Sequence, residues 1–199
     1  MKIKIYLKII SLIITLSSIV YPQGAYFVGI NFPYISISGN EVKLNSAIGG
    51  GLNFQYKIND KFSITAIICA ARHDMNDNVL ILTKSNSSEI FMSSKWTLGW
   101  ILGGVQYYPF DSSFIKPFVN GEAGFSFLSA DFDNMLNGFA LGGGLGLEHY
   151  FSEHWLISAG TNVRYTYLNS GTIGGESVKM NNPLDQIAIT ADLKLSYRF

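Results

Sequence analysis

A single cysteine, Cys69, in 199 residues leaves no partner for an intrachain disulfide and too few thiolates for a metal cluster. In the apolar run ITAIICAA it reads as a small packing residue rather than a reactive thiol. Charge is scarce too. Asp, Glu, Lys and Arg make up 14% of the chain, against about 25% in a typical soluble domain, which is too little to cover an ordinary aqueous surface. The formal net charge is zero, and the absence of a basic patch speaks against a nucleic-acid partner. After residue 21 no stretch offers about 18 consecutive apolar residues, so a transmembrane helix is excluded there. Three scattered histidines lack metal-ligand spacing. The triple glycines are followed by neither a helical pattern nor Lys-Ser/Thr, so no phosphate-binding loop and no cofactor site is expected.

What the chain does have is apolar and aromatic residues, at 48% and 14%, and 20 glycines. Such a composition without a membrane helix points to a membrane β-barrel, whose lipid face is spread over many alternating strands. The N-terminus agrees. Lys2, Lys4 and Lys8 precede the apolar run Ile9 to Val20, the layout of a secretory signal peptide, with Gly24 or Ala25 as small residues at an ill-defined cleavage point. Residues 1–24 are therefore expected to be a leader and 25–199 a single domain. Losing the leader removes three of fourteen cations and no acid, leaving eleven against fourteen acids.

Period-two alternation predicts eight strands. They cover about 25–38, 48–58, 62–72, 96–110, 117–128, 138–151, 155–168 and 187–199. In the fourth, Trp96, Leu98, Trp100 and Leu102 share one parity and Val105 and Tyr107 the other, so a bulge at Gly103-Gly104 is expected to reconcile them. The connections after strands two, four and six are short. Those after one, three, five and seven are longer, at about 39–47, 74–95, 129–137 and 169–185. The fold class expected is all-β: an eight-stranded, antiparallel, up-and-down transmembrane β-barrel with short periplasmic turns and long external loops. Residues 49–64 (GGGLNFQYKINDKFSI) and 142–157 (GGGLGLEHYFSEHWLI) repeat one hairpin pattern of Gly-led strand, polar turn and aromatic-led strand.

Alternation also suits a soluble barrel with an apolar interior. Three features favour the membrane. The apolar faces of strands two, three, five, seven and eight carry no charge; the polar faces hold small residues such as Gly51, Gly142, Gly144, Gly146 and Gly160; and Tyr56, Phe62, Tyr107, Phe110, Phe151, Trp155, Tyr197 and Phe199 gather at the short-turn ends like an interfacial girdle. The lumen then receives Lys57, Glu122, Glu148, Arg164, Asp192, Lys194 and Arg198. In so narrow a barrel these pair into an ionic plug, the alternative being a selective conduit.

The two GGGL hairpins, the GGVQYYPF segment at 103–110 and the ending Leu193, Leu195, Tyr197, Phe199 resemble the small eight-stranded outer-membrane β-barrels of Gram-negative bacteria, of the OmpA transmembrane domain, OmpX and OmpW type, over essentially all of 25–199. The resemblance implies residence in outer-membrane lipid and, during biogenesis, periplasmic chaperones and the barrel-assembly machinery, for which Leu193, Leu195, Tyr197 and Phe199 look like the recognition signal. It implies a non-enzymatic surface role carried by the external loops, or an OmpW-like passage for small or hydrophobic solutes. Some barrels of this size modify lipid A. The one catalytic set conceivable here is His73-Asp74 at an external strand end with Ser87, Ser88, Ser93, Ser94 and Glu89 in the following loop. His149 and His154 fall at a short turn and read as interfacial anchors.

Overall fold

The structure, a computed structural model, describes residues 25–38, 44–75, 79–84, 87–92, 95–110, 114–131 and 133–199. The expected leader, residues 1–24, lies outside them. Ten strands form in chain order: β1 (Ala25–Ser38), β2 (Ala47–Lys57), β3 (Phe62–Asp74), β4 (Val79–Lys84), β5 (Ser87–Met92), β6 (Lys95–Tyr107), β7 (Ile115–Ser129), β8 (Met135–Tyr150), β9 (Trp155–Ile173) and β10 (Glu176–Arg198). Eight of them close an antiparallel barrel in the order β1-β10-β9-β8-β7-β6-β3-β2, while β4 and β5 pair as a separate hairpin. The seam between β1 and β10 runs in unbroken register from Phe27↔Arg198 to Ser38↔Ile187, straight through Pro33.

Three side-chain caps set the tight connections. The Asn59 carboxamide oxygen accepts the amides of Lys61 and Phe62, both at 2.9 Å, and turns β2 into β3. Ser152, at the equivalent position of the repeated hairpin, accepts the amides of His154 and Trp155 at 3.3 and 3.0 Å. Between β7 and β8 the Asp131 carboxylate accepts the Asn134 side-chain amide and the backbone amides of Asp133 and Asn134, and the Asn134 side chain above all holds this exposed carboxyl below its ordinary range.

The structure departs from the sequence reading in four places. The stretch 74–95 is not all loop, because it contains the β4–β5 hairpin. The fourth connection is no loop at 169–185 either: β9 runs on, still paired with β8 as far as Thr172, and meets β10 in a turn at Gly174-Gly175, whose φ values of 57° and 83° fit a two-residue turn that only glycine enters freely. The third connection shrinks to 130–134. Finally, Gly103-Gly104 is no bulge. The β3–β6 register is continuous from Phe62↔Tyr107 to Asp74↔Lys95, so Trp96, Leu98, Trp100 and Leu102 all point into the barrel. The mistaken premise was that the apolar parity must face outward along the whole strand.

On the barrel wall, outward positions carry no Asp, Glu, Lys or Arg except near the long-loop end, at Arg72, Asp74, Lys95 and Asp185. Large apolar side chains stand free there, with Ile48 76% and Phe125 72% exposed. No aqueous surface is built this way; a hydrocarbon contact is. At the short-turn rim the aromatics meet across strands: Tyr26 with Tyr56 at 4.8 Å between ring centres, Phe62 with Tyr107 at 5.1 Å, Trp155 with Tyr197 at 5.1 Å and Tyr197 with Phe199 at 5.1 Å.

Candidate functional site

The lumen is filled in three layers. Nearest the long loops, Trp96, Leu98, Trp100, Leu128, Leu136 and Leu168 pack with Cys69 and Ile35 into a buried apolar cluster. Cys69 is a free thiol inside that cluster. His73 belongs to this end and is fully buried, facing the lumen and not the outer leaflet; its Nδ1 lies 2.7 Å from the Asn45 carbonyl oxygen. That orientation removes the lipid-facing base on which the catalytic reading depended. Ser87, Ser88 and Glu89 lie on β5, and Ser93 and Ser94 lie outside the described residues.

The middle layer is ionic. Arg164, with no exposed surface, places Nε 2.5 Å from Glu122 Oε1 and Nη2 3.6 Å from Asp192 Oδ2. Its Nη1 donates to Thr190 Oγ1 at 3.2 Å, and the guanidinium lies 5.1 Å from the Trp100 ring centre. Asp192 also accepts Asn162 Nδ2 at 2.7 Å, the Thr190 hydroxyl at 2.9 Å and Asn31 Nδ2 at 3.3 Å. A guanidinium in this position satisfies two carboxylates and a hydroxyl with one planar fork, which an ammonium could not do.

The third layer closes the short-turn end. Glu148 accepts Gln106 Nε2 at 2.7 Å, the Tyr108 hydroxyl at 2.9 Å and Gln55 Nε2 at 3.0 Å, with Lys57 Nζ at 3.5 Å. Lys57 Nζ also sits 4.7 and 4.6 Å from the Tyr108 and Tyr150 ring centres. Gln55 and Glu148 occupy equivalent positions of the repeated hairpin, as do Lys57 and Tyr150. The two copies thus meet each other across the lumen.

Glycine makes these contacts possible. The lumen-facing rungs of β7, β8 and β9 read Glu122–Gly142–Arg164, Asn120–Gly144–Asn162 and Phe118–Gly146–Gly160. Because β8 contributes no side chain, its neighbours reach over it: Glu122 meets Arg164, Asn120 Nδ2 donates to Asn162 Oδ1 at 2.9 Å, and the Phe118 ring covers Gly146. A Cβ at Gly142 would stand 3.0 Å from both Arg164 Cγ and Glu122 Oε1, whereas one at the outward Gly121 would meet nothing. Gly142→Val is therefore expected to destabilise the barrel by about 1–3 kcal/mol through overpacking, while Gly121→Val changes little. Urea unfolding of the two variants, refolded in lipid vesicles, checks the contrast.

Of the seven charged residues assigned to the lumen, the structure brings together Glu122, Arg164 and Asp192 in one cluster and Lys57 and Glu148 in another. Lys194 points inward beside Asn53, Gln55 and Glu148 around a small recess, and Arg198 stands exposed at the short-turn mouth; neither forms an ion pair within 4.0 Å among the described residues. The sequence reading did not single out Tyr108, Gln106, Asn162 or Thr190. Gln106 and Tyr108 were within reach, since both share the inward parity of Trp96 to Leu102, Tyr108 standing just beyond the end of β6. Leu193, Leu195 and Tyr197 share the outward parity of the closing strand, and Phe199 continues it one residue beyond β10.

No protein-family model and no curated protein matches the chain. Among solved structures it is similar to Neisserial surface protein A, at 16% identity over 89% of this chain and all of that one, with a TM-score of 0.61. It is similar to OprG from Pseudomonas aeruginosa, at 16% over 88% of this chain and 96% of that one, TM-score 0.54. It is also similar to the outer-membrane protein AlkL, at 16% over 90% and 92%, TM-score 0.53. The chain has the fold of the small eight-stranded outer-membrane β-barrels.

Proposed function

We propose that the protein resides in the outer membrane of a Gram-negative bacterium as a non-enzymatic barrel, a rigid anchor whose external connections meet the surroundings. The observation that carries this reading is the stacked filling of the lumen: an apolar layer, the Arg164 cluster and the Glu148 cluster follow one another along the barrel. Buried charges in these layers are paired and hydrogen-bonded, so moving one aside to admit ions would strand its partners in a medium of low dielectric. Interaction then falls to the β4–β5 hairpin, which pairs apart from the barrel sheet, and to the turn of the long β9–β10 hairpin at the same end.

Planar-bilayer recordings of the purified barrel test the closed lumen. The expected result is no reproducible open level, and a stable open level would sink the reading. A second reading, a passage for small apolar solutes, draws support from the apolar layer at the long-loop end. It predicts that alkane uptake into vesicles depends on the barrel and falls when Leu98 is replaced by Asp.

A further inference from the structure

The short-turn mouth is not neutral filling. Lys57, Lys116 and Arg198, from β2, β7 and β10, open onto a recess of about 350 Å³ with Phe27 and Tyr150 as its apolar walls and Asp60 on its rim. This is within the roughly 300–1,000 Å³ usual for small-molecule sites built of apolar walls and a few convergent polar groups. The Glu148 charge beneath it is already taken up by Lys57, two carboxamides and the Tyr108 hydroxyl. Lys116 and Arg198 form no ion pair among the described residues, and Lys116 stands within electrostatic reach of Lys57. Among the described residues, like charges converge here with only Asp60 as counter-charge at the recess, beside an edge-to-face pair of rings, the buried Phe27 and the half-buried Tyr150, 6.0 Å apart.

We infer that this mouth is a binding site for a water-soluble organic oxyanion: one carboxylate or phosphate group, held by Lys116 and Arg198 over Lys57, on an apolar or planar body that lies against Phe27 and Tyr150. The cations supply the charge-assisted bonds and the rings the apolar contact. Residues 1–24 do not suit the site, because their only charged side chains are lysines. A phospholipid headgroup fits less well than a soluble anion, since all three cations project from the lumen side of the wall and the lipid lies on the other.

The test is an amide-resolved NMR titration of the whole barrel in maltoside micelles, which bring no phosphate of their own. Phenyl phosphate and benzoate are expected to give saturable shifts confined to the mouth, at Ala25, Asn59 and Tyr150, with benzyl alcohol giving none and inorganic phosphate binding more weakly than phenyl phosphate. Lys116→Gln with Arg198→Gln is expected to weaken phenyl phosphate by about tenfold or more, with the remaining amides unmoved, and Lys116→Arg with Arg198→Lys is expected to retain binding. Absence of saturable shifts in the wild-type barrel, equal shifts from benzyl alcohol, or unchanged affinity in a double glutamine variant that keeps the wild-type spectrum would each overturn the proposal. So would a response to added phosphatidylglycerol with none to phenyl phosphate.

Discussion

Arg164→Met is expected to lower the unfolding free energy of the barrel by about 3–5 kcal/mol, the usual cost of leaving a buried charge without its partner. Glu122 and Asp192 both depend on this guanidinium, and both are buried. Asp192 keeps Asn162, Thr190 and Asn31 as donors, but Glu122 loses its ionic partner outright. The Arg164→Lys variant should recover only part of the loss, because a point charge on a flexible stem cannot meet Glu122, Asp192 and Thr190 together. A triple change, Arg164→Met with Glu122→Gln and Asp192→Asn, should be more stable than Arg164→Met alone, since no uncompensated charge remains. Urea titration in lipid vesicles, followed by tryptophan fluorescence, to which Trp100 beside position 164 contributes, measures all three. A loss of less than about 1 kcal/mol in Arg164→Met would mean that the cluster contributes little to holding the lumen together.

Deleting Phe199 is expected to leave most of the protein outside the membrane in cells, an effect far larger than that of any single loop substitution. Two observations bear on it. Phe199 donates its amide to the Tyr26 carbonyl at 2.9 Å, the last rung of the seam at which β10 closes on β1, and its ring packs edge-on against Tyr197 at 5.1 Å. These contacts account for only about 1 kcal/mol of a hydrogen bond and a similar amount of ring contact. The larger share is proposed to come from recognition by the assembly machinery of Leu193, Leu195, Tyr197 and Phe199 as alternating residues of one terminal strand. The two contributions separate by experiment. Spontaneous refolding of the deletion into vesicles should be nearly normal, whereas insertion in cells should fail. Normal insertion in cells would remove the signal reading, and failure in both settings would make Phe199 a residue of the fold alone.

Much of the fold was legible in the chain because strand alternation is a local property. Each strand records its two environments in residues two apart, and the β1 bounds, the short turns and outer faces that are free of charge except near the long-loop end follow from that record. The long connections were harder. Ser-, Asn- and Gly-rich segments such as 169–185 read as loop, yet an extended β9–β10 pair needs only backbone hydrogen bonds and a Gly-Gly turn, which composition does not reveal. Trp96 to Leu102 misled for another reason. Their parity was correctly read, but the rule that apolar residues face lipid fails at the end of the lumen that is itself packed with apolar side chains.

The sequence by itself settled that this chain alternates between two environments over eight strands and which parity of most strands is fit for lipid. It also proposed seven charges for the lumen, leaving out Lys116 at its mouth. What only the tertiary structure decided is who meets whom among them. Glu122 reaches Arg164 because Gly142 stands between them in one rung, and Gln55 reaches Glu148 because two repeats face each other across a closed wall. Such pairings depend on the register and closure of eight strands together. Period two fixes the face of each side chain but says nothing of its height in the barrel, and height is what selects partners.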